Sequence, residues 1–125
     1  MDLLKISDTF NLWLENARTI LSDKEEVLNV LDEAERKYSA FPEQQKDPDK
    51  MPMMIAMLRS YLNKEFPLSS EEAVAAIVAA ALYLNNGNII PDDMPLIGIM
   101  DDLAIIDLAY KHCANEVKAY VLWKQ

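Results

Sequence analysis

The residues best suited to chemistry in this chain are four aspartates, Asp92, Asp93, Asp101 and Asp102, set in the stretch from Asn88 to Asp102. Carboxylate oxygens are hard ligands, and a pair such as Asp92 and Asp102 suits Mg²⁺ or Ca²⁺ better than a transition metal. The spacing is not that of an EF-hand, and no histidine lies near it in sequence. Neighbouring residues on a helix point about 100° apart, so Asp101 and Asp102 are poorly placed to chelate one ion together. The same stretch has an architectural reading, and that is the expectation. Pro91 and Pro95 stiffen the chain, and Gly98 allows a tight turn or a close backbone approach. Asp101 and Asp102 fall in the first turn of the following helix, where negative charge complements the dipole. Asp92 and Asp93 suit a cap.

No other group converges on these carboxylates. Acid–base work by a carboxylate pair needs one member with a raised pKa beside one that stays ionised. His112, the only histidine, sits on the flank of an apolar stripe and reads as a boundary residue rather than a proton carrier. Cys113, the only cysteine, falls on that stripe and reads as a small buried hydrophobe. The two together lack the ligand count of a zinc site. Ser69 and Ser70 read as helix caps. The expectation is a chain with no catalytic residues and no cofactor, Mg²⁺ or Ca²⁺ being the alternative.

Charge gives a different lead. From Glu65 to Tyr110, 46 residues, there is no Lys or Arg, against eight acidic residues. Glu71, Glu72, Asp92, Asp93, Asp101 and Asp107 are the candidates for an acidic surface. A field of one sign speeds capture of a partner of the other sign, which points to a basic protein. The net charge of −9 argues against nucleic acid, whose phosphates need Lys and Arg, and against an anionic membrane. The longest apolar run, Ala73 to Leu84, has twelve residues and falls short of the roughly 20 that span a bilayer. Met1 to Lys5 lacks the pattern of a signal peptide, and a lone cysteine requires no oxidising compartment. A cytoplasmic location is expected.

The elements that must position these residues are all helical. Apolar residues recur at helical spacing from Leu3 to Leu21. Ser22 and Glu25 have capping-box spacing and open a second helix, with Val27, Leu28, Leu31, Ala34 and Tyr38 as its stripe. Pro42, Pro48 and Pro52 break the pattern. A third helix is expected from Met53 to about Glu65, where the methionines Met53, Met54 and Met57, with Met51 before them, read as core. Ser69 and Glu72 form a second capping box before the nearly all-apolar helix Ala73–Leu84, which Asn86-Gly87 ends. The last helix is expected from about Ile99 to Trp123, with Ile99, Leu103, Ile106, Tyr110, Cys113, Val117 and Val121 on one face. Tyr120 and Trp123 either close the bundle or form an exposed aromatic anchor.

The apolar helix, then Ile90-Pro91-Asp92, Pro95, Gly98 and the pair Asp101-Asp102, resembles the YkvA-like bacterial domain of unknown function. The resemblance covers roughly residues 54–110. Members of that family usually carry Ser-Pro before the motif and a further Asp just upstream, where this chain has Asn85-Asn86 and Asn88. The resemblance implies a fold and no activity. The expectation is therefore one all-α domain over residues 1–125 with about five helices. A helical hairpin (1–41) and a proline-broken connector (42–52) precede a YkvA-like helical unit (53–125), and the apolar helix lies at the centre. The expected role is a non-enzymatic interaction module, such as an acidic inhibitor or immunity-like protein.

Overall fold

The structure, a computed structural model, describes residues 3–43, 46–47, 50–86 and 95–125, with side chains from 7–43, 46–47, 50–85 and 102–125. Five helices make up the fold: α1 (Leu3–Ile20), α2 (Lys24–Ser39), α3 (Met51–Leu62), α4 (Glu71–Asn86) and α5 (Pro95–Lys124). The chain is all-α, and no strand occurs among the described residues.

α4 organises the rest. Ala73, Ala75, Ala76, Ile77, Val78, Ala79, Ala80 and Ala81 are all at most 8% exposed, so the helix is buried on every side. A helix that is apolar all round finds water nowhere and must be surrounded. α1, α2 and α5 pack directly on it, and α3 touches it more lightly while lying against α5 and α2. The short alanine side chains let the surrounding helices approach closely. α1 supplies Phe10, Leu14 and Ala17, and α2 supplies Val27, Leu31, Ala34 and Tyr38. Both sets follow the i, i+4, i+7 spacing of one helical face. α1 and α2 are joined by three residues, yet each makes its main contact with α4 rather than with the other. The first two helices thus act as separate walls around α4 more than as a self-contained hairpin.

The helix ends differ from expectation in instructive ways. Asp23, not Ser22, caps α2: its Oδ1 accepts the Glu26 N–H at 3.1 Å. At α4 the cap is Ser70, not Ser69, with its Oγ accepting the Ala73 N–H at 3.1 Å. In both places two candidate caps stand side by side, and the residue nearer the apolar stripe takes the role. α3 begins at Met51, with Pro52 inside its first turn, where a missing N–H costs nothing. Met51, Met54 and Met57 are fully buried, as core methionines should be.

The largest difference lies at α5. The helix starts at Pro95, four residues before the expected Ile99, so Gly98 lies within it and makes no turn. Asp101 and Asp102 accordingly stand in its second turn, and its first turn has no acidic residue. Pro95 has the fixed φ that suits a first helical position, and Leu96, Ile97 and Ile99 continue an apolar pattern, which outweighs the cost of one glycine. α5 is also kinked at Cys113 (φ −134°, ψ 17°). No proline or glycine is present there. The Cys113 thiol donates to the Ala109 carbonyl at 3.4 Å, one turn back, a bond of the kind that bends helices when serine makes it.

Candidate functional site

Of the four aspartates that the sequence grouped, the structure describes only Asp102 with its side chain. Pro91, Asp92 and Asp93 lie outside the described residues, as does the side chain of Asp101. Asp102 is half-buried on α5 and is not without a partner. Among the described residues, no group of three or more His, Cys, Asp or Glu side chains is placed to hold a metal. The pairing of Asp92 with Asp102 therefore has only one member within the described residues.

The acidic surface is partly balanced by a cation from elsewhere in the chain. Lys50, just before α3, donates to Asp107 at 2.6 Å and lies over the Tyr110 ring at 5.8 Å. The bond to Asp107 holds the Lys50 ammonium above its usual pKa, against a smaller opposing effect of burial. His112 Nδ1 approaches Glu72 Oε1 at 3.0 Å, and its ring stacks on Phe10 with centroids 5.4 Å apart. That contact joins α1, α4 and α5, so His112 is a boundary residue with a partner. Glu71, beside Glu72 in the first turn of α4, stays exposed, and so does Glu65.

Elsewhere the polar groups fasten helices together. Arg59 on α3 grips Glu35 with both terminal nitrogens (2.9 and 3.0 Å) and Asp32 at 2.6 Å, tying α3 to α2. The Glu35 carboxylate, then Asp32, raises the guanidinium pKa, with burial opposing. Lys37 donates to the Asn85 carbonyl at 2.5 Å, placing a cation at the C-terminal end of α4 where the dipole favours it. Asn85 Nδ2 in turn reaches the Val30 carbonyl at 3.1 Å, which locks the same end of α4 to α2. These residues hold the bundle in register. The Cys113 thiol is fully buried, and desolvation pushes its pKa up to about 12, which leaves it without nucleophilic character.

One open site emerges that sequence reasoning did not find. Where α1 ends, α2 begins, α3 ends and α4 begins, a cleft of about 270 Å³ opens between the elements. Leu21, Val27, Leu62, Leu68 and Val74 give it apolar walls, and Tyr61, Ser69, Ser70 and Glu71 edge it. The following residues, Ser22 to Glu25 with Leu28, line a shallower depression. Phe66 packs against Trp123 with centroids 5.2 Å apart, and Tyr120 stacks on the same Trp123 ring. Tyr120 is buried and its hydroxyl meets Ser60 Oγ at 3.3 Å, whereas Trp123 remains 49% exposed. Tyr120 closes the bundle and Trp123 stands partly outside it. Only Pro67-Leu68, an apolar residue stranded in a connector, hinted at the cleft in the sequence.

Comparison with known proteins gives one resemblance. The chain is 32% identical over 69 residues to a protein of Bacillus subtilis (strain 168) named "Uncharacterized membrane protein YkvA". The match takes in 54% of this chain and 65% of that protein, so the chain covers just under two thirds of its relative. No family model and no solved structure matches. Among the described residues, no helix is long and apolar enough to cross a membrane.

Proposed function

We propose that the chain is a YkvA-like domain acting as a non-enzymatic interaction module, with an acidic surface that captures a basic protein partner. An inhibitor or immunity-like protein would work in this way. One observation carries the reading: in a stretch with no Lys or Arg from Glu65 to Tyr110, Glu65 within the α3–α4 connection and Glu71 at the start of α4 stay exposed. Unbalanced carboxylates on a rigid frame raise the local concentration of a cationic partner and orient its approach. The likeness to YkvA supports the family and is silent on the partner.

The test is capture from a lysate of the source organism at low and high salt. Retention of a basic protein at low salt, and its release as salt rises, supports the reading. Retention of no basic protein at low salt removes its support. A melt in millimolar Mg²⁺ or Ca²⁺ addresses the cation alternative at Asp92 and Asp102, since a site on the folded state raises Tm. The acidic-surface reading expects no such rise.

A further inference from the structure

We propose that the partner contacts this chain through a basic amphipathic helical segment, whose apolar face seats in the cleft between the α1–α2 turn and the α3–α4 connection. This rests on the capture of a basic partner proposed above and names where and how it occurs. The cleft is apolar inside, with Leu21, Leu62 and Leu68 half-buried along it. A soluble surface leaves such side chains partly open at a cost, which a covering apolar face removes. Its edges carry the opposite chemistry. Glu71 stands on one wall, and Asp23 and Glu25 stand in the adjoining depression, against a single cation, Lys24. One carboxylate on the cleft, and two in the depression that begins at Ser22, the residue after Leu21, fit a ligand with leucine-like residues on one face and Lys or Arg on the flanks. Trp123, half-exposed over Phe66 two residues before Leu68, extends the apolar surface at this end of the bundle.

Charge also selects among occupants. A second copy of the chain would bring its own net charge of −9 toward these carboxylates, and an anionic vesicle would be repelled in the same way. A basic segment is the occupant that gains from both the trough and its edges.

The experiment uses the full chain and two synthetic peptides of about fourteen residues, roughly four helical turns. One peptide alternates Leu and Lys at helical spacing, and the other replaces every Leu by Ser at the same charge. Binding is followed by titration calorimetry and by methyl NMR shifts. The expected result is that the Leu/Lys peptide binds about ten-fold or more tightly than the Ser/Lys peptide. Its largest shifts fall on Leu21, Leu62 and Leu68, and Leu68→Lys weakens it. If Leu68→Lys does not fold, the peptide ratio and the shift map decide alone. Equal binding of both peptides, with shifts away from the cleft, overturns this inference and leaves the acidic-surface reading standing. Binding of neither peptide overturns the inference, and the lysate capture then judges the wider reading by itself.

Discussion

Lys64 takes a left-handed backbone conformation (φ 63°) just after α3. Its N–H bonds the Tyr61 carbonyl and the Glu65 N–H bonds the Ser60 carbonyl, the paired 5→2 and 6→1 bonds of a Schellman turn. This position usually belongs to glycine, because a Cβ there crowds the backbone at a cost of roughly 1–2 kcal/mol. Lys64→Gly should therefore stabilise the protein by several tenths to about 1 kcal/mol after glycine's added chain entropy, visible as a rise in Tm. A fall in Tm would contradict the turn. Cys113 gives a second prediction. In the folded state the thiol stays protonated well past pH 9, while the unfolded thiol ionises near its ordinary value of 9.0. Above that pH the folded state holds more protons than the unfolded one, so stability falls as pH rises from about 9 toward 12. Cys113→Ala should flatten that part of the pH–stability curve. The thiol should also resist Ellman's reagent at pH 8 until denaturant opens the bundle.

At the scale of elements, α4 and α5 make the sharpest claims. Ala76 and Ala80 are fully buried on α4. Ala76→Leu should cost about 1–3 kcal/mol by overpacking, measured by urea unfolding, although leucine is nearly as good a helix former and more apolar. A neutral result would mean that α4 is not enclosed. Gly98→Ala separates the two readings of the segment before Asp101. Inside a helix, the change should stabilise by about 0.5–1 kcal/mol; in a tight turn it should destabilise. The helical periods of α1, α2 and α4 were legible because apolar residues recur on one face, or on every face, of each. The start of α5 was not. Pro95 and Gly98 are turn residues by type, yet both lie within the helix, Pro95 at its first position. The paired caps, Ser22 against Asp23 and Ser69 against Ser70, were legible to within one residue. Tertiary packing settles that last step.

At the scale of the whole molecule, charge balance depends on contacts that sequence distance hides. Lys50 lies 57 residues from Asp107 and yet neutralises it. His112, 40 residues from Glu72 in sequence, brings its ring nitrogen within 3.0 Å of that carboxylate. A stretch that reads as uniformly negative thus keeps Glu65 and Glu71 as its exposed charges among the described side chains outside these pairs. The cleft was barely legible, because four separate helix ends build it and the capping boxes at two of them say nothing of their proximity. The most direct test of the acidic surface compares two variants of equal net charge in the capture experiment. One carries Glu65→Gln in the α3–α4 connection and Glu71→Gln at the start of α4, and the other carries Asp8→Asn and Glu15→Gln on α1. The first should release the basic partner at low salt while the second retains it. Equal loss from both would show that net charge alone holds the partner and would contradict a localised acidic site.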